Sequence, residues 1–363
     1  MINASFWTGK KVLVTGHTGF KGSWLSLWLN KLGANVQGYA LAPATKPNLF
    51  DEASIHELLN SRIADIRDPG AMQQVVDDTQ PEILFHLAAQ PLVRESFNAP
   101  AYTIETNVMG TVNVLNAARN SSSVKAVVVV TTDKCYQNNE WHWGYRENEP
   151  LGGHDPYSAS KACAELIVQS YRLSFMGHSG EDARPCPVAS ARAGNVIGGG
   201  DWSADRLIPD VLNNIAQSED VVLRNPNAIR PWQHVLEPLA GYLMLAERLL
   251  SEGQQWAEAW NFGPHEQDAR PVSWIAEQLI KAMNSDSHCT YDVTHQPHEA
   301  QALKLDCSKA RQVLGWTPVW TLAECLDDIA LWHAAFLQGK DMRAVSLGTI
   351  DRFEKSSSDA TTR

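Results

Sequence analysis

Tyr157 and Lys161 close the stretch Tyr157-Ser-Ala-Ser-Lys161, a spacing suited to proton chemistry. At i and i+4 the two side chains share one helix face, which sets an ammonium beside a phenol. A phenol with a pKa of about 10 is a poor base near neutrality, and a neighbouring cation favours its anion. Taken alone, the pair is also what an ordinary exposed helix carries. Its place in the chain changes that reading. Upstream lies the run Thr15-Gly-His-Thr-Gly-Phe-Lys-Gly22, which follows a β-branched stretch and opens an amphipathic one. Gly16 suits the sharp turn, Gly19 lets backbone amides approach a pyrophosphate, and Gly22 lets the helix pack closely, with Thr18 and Phe20 completing the cradle. A nicotinamide dinucleotide held there brings a second cation to the phenol. The alternative is a glycine-rich turn without a ligand.

Such residues must be carried by alternating strands and helices, and the first half of the chain supplies them. Strands are expected at 11–15, 35–40, 62–64, 82–87, 125–131 and 187–192, with Val127 to Val130 as a central strand buried on both faces. Helices are expected at 20–32, 69–77, 100–120 and 155–175. The fold class is therefore α/β, a doubly wound parallel (Rossmann) sheet. After about residue 193 the alternation loosens into a smaller mixed α/β substrate-binding region, 194–345, with helical stretches at 236–250, 272–283 and 322–336. Some of its segments can return to the sheet. Residues 176–187 read as a surface loop and 346–363 as a tail, frayed from Glu354 onward.

Several strand ends face the cleft such a fold makes. Asp65 and Ile66 close the third strand, placed to accept from an adenine amino group and to pack beside its ring. A turn or cap aspartate is the competing reading. Leu87, Ala88 and Ala89 offer small residues where a dinucleotide crosses the sheet edge, and Asn107 on the next helix is a cofactor-side polar buttress. The second strand ends Gln37-Gly-Tyr39-Ala40, without the acid that selects a ribose 2'-hydroxyl, so both NAD and NADP remain open. Lys46 is a 2'-phosphate partner or a solvated loop lysine.

Composition narrows the classes. The chain has 363 residues, 44% hydrophobic, and a net charge of -11, which argues against general binding to nucleic acid or anionic membrane. No apolar run approaches the ~20 residues of a membrane span, and six scattered cysteines suit a reducing, cytoplasmic setting. His295 and His298 have metal-like spacing, but Pro297 and the lack of a third ligand favour a loop and no metal site.

Thr15-Gly-x-x-Gly-Phe-x-Gly22, His86-Leu-Ala-Ala89, Asn107-x-x-Gly-Thr111, Tyr157-x-x-x-Lys161 and Lys309-Ala-x-x-x-Leu-Gly-Trp-x-Pro318 together resemble the extended short-chain dehydrogenase/reductases, from about Trp7 to Leu337. Thr131-Thr-Asp-Lys-Cys-Tyr136, Arg192-Ala-Gly-Asn-Val-Ile-Gly-Gly-Gly-Asp-Trp202 and Arg230-Pro-Trp-Gln-His-Val235 are similar to nucleotide-sugar 4,6-dehydratases. Members more commonly carry Asp-Glu where this chain has Asp133-Lys134, and that departure resembles the cytidine branch.

The resemblance implies CDP-glucose as substrate, NAD as cofactor and a redox-neutral loss of water in deoxysugar biosynthesis. Tyr157, aided by Thr132 and Lys161, takes the 4-hydroxyl proton. Lys134 removes the C5 proton, and protonated Asp133 donates to the departing 6-hydroxyl. Lys134 can do so only when neutral: Lys161 and a nicotinamide favour that form, and Asp133 opposes it. Asn195 is implied to contact the diphosphosugar, and Arg206 and Arg230 to pair with pyrophosphate, surface ion pairs being the alternative for both arginines. Leu223 to Pro226 would help enclose the base, and Trp141 and Trp143 either line the sugar pocket or are simply buried. Family members pair two helices per subunit in a four-helix bundle, implying a homodimer through 100–120 and 155–175. A 4-epimerase on the same fold has no need of an acid at Asp133. A catalytically idle dinucleotide sensor would usually lack one of Thr132, Tyr157 or Lys161.

Overall fold

The computed structural model describes residues 2–177, 185–292 and 303–361. Its first half contains β1 (Lys11–Thr15), β2 (Asn35–Ala40), β3 (Asn60–Ile63), β4 (Ile83–His86), β5 (Ala126–Val130) and β6 (Val188–Ala193). Around them run the helices α1 (Ala4–Trp7), α2 (Phe20–Lys31), α3 (Leu49–Glu52), α4 (Pro69–Thr79), α5 (Val93–Asn98), α6 (Pro100–Ile104), α7 (Gly110–Asn120) and α8 (Pro156–Tyr171). The later strands are β7 (Val196–Ile197), β8 (Val221–Leu223), β9 (Ile229–Pro231), β10 (Gln233–His234), β11 (Ala259–Phe262), β12 (Ala269–Pro271) and β13 (Cys289–Tyr291). The later helices are α9 (Leu207–Ala216), α10 (Leu236–Glu252), α11 (Val272–Ala282), α12 (Leu322–Leu337) and α13 (Met342–Thr361).

Seven strands form one parallel sheet in the order β11-β6-β5-β4-β1-β2-β3. The order reverses between β1 and β4, and the carboxyl ends of these neighbours carry the glycine turn and the Leu87–Ala89 crossing, where such sheets bind ligands. Alternate side chains explain the two layers. Val12 and Val14 of β1 and Val128 and Val130 of β5 enter the core built with α2, α10 and α12, while Leu13, Val127 and Val129 face α4, α7 and α8. The valine run of β5 is thus buried on both faces, as its composition predicts.

Local signals start the helices that matter to the site. Asp155 accepts from Ser158 N at 2.9 Å with Pro156 at the first helical position, which fixes where Tyr157 emerges. After β6 the chain builds three two-stranded sheets, β10 with β7, β12 with β9 and β13 with β8, and returns to the main sheet through β11.

Two expectations need correction. The 100–120 helix is interrupted by a π-turn at Glu105–Met109, and the 155–175 helix ends in another at Arg172–Met176. Such turns commonly mark functional sites, and the first contains Asn107. The tail is not frayed from Glu354. α13 extends to Thr361 and docks on α2: Ile350 and Phe353 are buried, Trp28 Nε1 donates to Glu354 Oε1 at 2.8 Å, and Lys31 pairs with Asp351 and Glu354. The Ser- and Thr-rich ending hides an apolar pair three residues apart, enough for one face of a helix. Much of the loop expected at 176–187, and His295 with His298, lie outside the described residues. Among the described residues no helix is long and apolar enough to cross a membrane.

Candidate active site

A cleft of about 720 Å³ runs along the carboxyl edge of the sheet. It is lined by Gly16, Thr18, Gly19, Phe20, Gly22, Asp65, Ile66, Leu87, Ala88 and Ala89 at one end. Thr132, Asp133, Lys134, Tyr157 and Lys161 lie at the centre, and Asn195, Arg206 and Arg230 beyond them.

The glycine turn is built for close approach. Gly16 has φ +78°, and a Cβ there would stand 2.6 Å from Ala88 N. A Cβ on Gly22 would fall 2.0 Å from Gly16 O, so α2 can rest on the turn only without one. Gly19 differs: its Cβ would meet only Gly16 O, at 3.4 Å, because that face opens into the cleft. Thr18 Oγ1 donates to Leu41 O at 2.8 Å, tying the turn to the end of β2.

The neighbouring walls are fixed from behind. Thr15 Oγ1 accepts from Leu87 N and Ala88 N at 3.2 and 3.3 Å and lies 2.7 Å from His86 Nδ1. Burial, then the charge of Lys161, lowers the His86 pKa to about 3, so this ring is neutral. Asn107 does not line the cleft. Its Oδ1 accepts from Gln90 N at 2.8 Å, and its Nδ2 donates to Gln90 O and to Ser160 Oγ, bracing the crossing loop against α8. Asn107 thus stands as a polar buttress behind the cleft wall, within the π-turn. Asp65 is bound by Arg67 through Nε and Nη2 at 2.9 and 2.7 Å, and that hydrogen bonding lowers its pKa. Lys46 is exposed and off the cleft.

Thr132, two residues past β5, caps the short turn Asp133–Cys135 by accepting from Lys134 N, and donates to Asp133 Oδ1 at 3.0 Å. Asp133 is 2% exposed, and its Oδ2 has no hydrogen-bond partner among the described residues. A Cβ on Gly194 would come within 2.9 Å of that oxygen, so a glycine there leaves it space. Burial raises the Asp133 pKa, against Lys134, Thr132, Arg230 and Lys21. A carboxyl in this setting is disposed to hold a proton.

Burial also governs the Tyr157 and Lys161 pair. It pushes the phenol up to about 12, with the Thr132 hydroxyl opposing, and the ammonium down to about 8, with Glu165 and Cys135 opposing. Burial therefore opposes the phenolate that Lys161 and a nicotinamide cation are together expected to favour. The pair requires further positive charge in the cleft.

On the far wall, Arg230 is buried on β9 and donates to Ile229 O at 2.9 Å, while half-buried Arg206 pairs with Asp201 at 2.9 Å. Arg94 and Arg224 both reach Asp205, at 3.5 and 3.0 Å. Sequence reasoning assigned no role to Lys21, Arg94, Asp201 or Asp205, although Lys21 stands inside the glycine run. Lys21 lines the cleft, and burial, then Arg206 and Lys161, brings its pKa to about 7. Trp141 and Trp143 do not line the cleft. Trp141 stacks on Tyr145 with centroids 5.6 Å apart, and Trp143 is exposed.

Residues 13–329 match the family described as GDP-mannose 4,6 dehydratase. A CDP-glucose 4,6-dehydratase of Salmonella typhimurium is 52% identical over 353 residues, covering 97% of this chain and 98% of that protein. Among solved structures, a dTDP-glucose 4,6-dehydratase of Bacillus anthracis in complex with NAD superposes with a TM-score of 0.75 at 21% identity, covering 92% of this chain and all of that one (100%). A UDP-glucose 4-epimerase of Thermotoga maritima with UDP-glucose gives 0.77 at 21% identity, covering 90% and 99%. At such identity these two likenesses establish the fold.

Proposed function

Since the chain belongs to the GDP-mannose 4,6 dehydratase family, we propose that it converts CDP-glucose to CDP-4-keto-6-deoxyglucose and water. The observation that carries this reading is Asp133: a buried carboxyl with one unpartnered oxygen, disposed to hold a proton, immediately after Thr132 at the end of β5. A leaving hydroxyl needs such an acid, and a 4-epimerase does not. The relative named as a CDP-glucose 4,6-dehydratase supports the choice of substrate.

The cradle of Gly16, Thr18, Gly19, Phe20 and Gly22, with Asp65, Ile66 and Leu87–Ala89 along the wall, fits a dinucleotide: Gly19 is open toward the cleft and α2 presents its first amides there. NAD bound there would supply the hydride acceptor for C4 and the hydride donor for C6. NAD is favoured over NADP because the described residues that line the cleft at the end of β2, Ala40, Leu41, Ala42 and Ala44, are all uncharged.

Tyr157 takes the 4-hydroxyl proton while Thr132 bonds the same oxygen, and Lys161 stabilises the phenolate. The resulting 4-ketone acidifies the C5 hydrogen, which Lys134 removes in its neutral form. Asp133 donates its proton to the 6-hydroxyl, so the group leaves as water. Reprotonation at C5 completes the product. Asn195 positions the diphosphosugar, and Arg206 and Arg230 pair with its pyrophosphate.

The protein works as a homodimer. α6 and α7, continuous through the π-turn, both pack on α8, and exposed Ile104, Met109, Leu166 and Leu173 on these helices and their π-turns give an apolar outer surface suited to a four-helix bundle. Light scattering should show two subunits, and monomer alone at micromolar concentration contradicts this. The six cysteines are free thiols, in keeping with a cytoplasmic enzyme. Activity is tested by offering CDP-glucose, dTDP-glucose and GDP-mannose in turn. Mass spectrometry should find loss of one water from CDP-glucose alone, with no net cofactor reduction. Preference for another nucleotide sugar overturns the assignment.

A further inference from the structure

Beneath the catalytic turn lies a buried charge pair to which the reaction as described assigns nothing. Glu165 lies one helical turn beyond Lys161, and its carboxylate pairs with Arg192 of β6 at 2.7 Å, both side chains almost wholly buried. Both carboxylate oxygens of Glu165 are engaged, whereas Arg192 Nε has no hydrogen-bond partner among the described residues. Thr131 Oγ1 donates to Glu165 Oε1, and Ser190 Oγ donates to Oε2 at 2.7 Å. Arg192 Nη1 donates to Tyr136 OH at 2.8 Å and to Glu147 O at 3.0 Å. Tyr136 OH in turn donates to Asn261 Oδ1 of β11 at 2.7 Å. Thr131 and Tyr136 bracket Thr132, Asp133 and Lys134, so one carboxylate and its guanidinium clamp both ends of the catalytic turn.

We propose that Glu165, with Arg192, is a positioning residue for this reaction: it keeps Lys161 an ammonium and fixes the turn from Thr131 to Tyr136 against the sheet. This rests on the dehydratase reading. A buried ion pair adds little net stability compared with an apolar substitute, so stability alone does not explain one whose every oxygen is engaged. Burial works against the Glu165 carboxylate, but Arg192 and the two hydroxyls outweigh it and hold its pKa below the ordinary value. Around Lys161 stand Glu165 and Tyr157 on its own helix, Cys135 after β5, His86 on β4 and Lys21 on α2. His86 is neutral, and burial raises the Cys135 thiol well above its ordinary pKa, which leaves Glu165 as the anion among them.

The test is competitive acetylation of Lys161 by acetic anhydride across pH, read by peptide mass spectrometry, beside the pH profile of kcat/KM for CDP-glucose. In Glu165→Gln the midpoint of Lys161 reactivity should fall by about 1 to 2 pH units, and the alkaline limb of the profile should move with it. Glu165→Asp, which keeps the charge, should leave the midpoint within about half a pH unit of wild type while slowing kcat. An unmoved midpoint in Glu165→Gln, with kcat/KM lowered equally at every pH, overturns the proposal. If Glu165→Gln does not fold, Thr131→Val decides. It removes one tether and leaves the ion pair, so kcat should fall roughly tenfold, the worth of one buried hydrogen bond, without a midpoint shift; wild-type kcat overturns the proposal. Failure of the wild type to turn over CDP-glucose would sink the functional reading and leave the labelling result standing.

Discussion

The two walls of the cleft are built on different physics. The glycine wall is specified by shape. Cβ atoms at Gly16 and Gly22 would collide with backbone, and the buried imidazoles behind it are neutral, His17 lowered to about 4 and His86 to about 3 by burial. The opposite wall is specified by charge: Arg206 is held by Asp201, and Arg94 and Arg224 converge on Asp205. The first should tolerate no added volume and little care about salt. The second should respond to charge and ionic strength. Between them Asp133 belongs to neither, a buried carboxyl lining the cleft with one oxygen unpartnered among the described residues.

The largest expected effect concerns that central residue. Asp133→Asn should slow water loss by about 10²- to 10⁴-fold while cofactor reduction by CDP-glucose is still seen in rapid-mixing absorbance. Unchanged turnover removes Asp133 from its role. On the shape wall, Gly22→Ala should cost about 1–3 kcal/mol and lower Tm, because its Cβ meets backbone. Gly19→Ala should keep Tm and weaken dinucleotide binding in calorimetry, since its Cβ enters open cleft. Equal behaviour of the two variants breaks the distinction between packing and ligand glycines.

On the charge wall, Arg230→Ala should raise KM roughly 10- to 100-fold, the worth of a lost charged hydrogen bond. Arg206→Ala should raise it less, because that side chain is half-exposed and shared with Asp201. The smallest effect tests a carboxyl without a catalytic part. Glu237 accepts from Val319 N and Trp320 N, and burial raises its pKa to about 8. The folded protein therefore keeps a proton that the unfolded chain releases above about 4.5, so this contribution to stability declines as pH rises from 4.5 to 8. Glu237→Gln should raise Tm by a few degrees at pH 8 and change it little at pH 5. Equal shifts at both pH values contradict a protonated Glu237.

Legibility in the sequence follows the same divide. The glycine run, the valines of β5 and the Tyr157 and Lys161 spacing are local patterns, and the structure places all of them where local rules predict. The charge wall depends on partners that approach only after folding. Arg206 and Arg230 were recognisable by type, but the convergence of Arg94 and Arg224 on Asp205 joins segments that share no pattern. Glu165 did leave a signal, eight residues after Tyr157 on the same helix face, yet its meaning depends on Arg192 across the sheet. The role of Asn107 as a buttress could be guessed from its type, but the π-turn that carries it has no pattern in the sequence. The docking of α13 was hidden by its polar ending.

Oxidation at C4 and reduction at C6 of one sugar in a single turnover are tested most directly by the fate of deuterium placed at C4 of CDP-glucose. That deuterium should appear at C6 of the product, with solvent hydrogen at C5. Deuterium retained at C4, or lost to free cofactor, contradicts it.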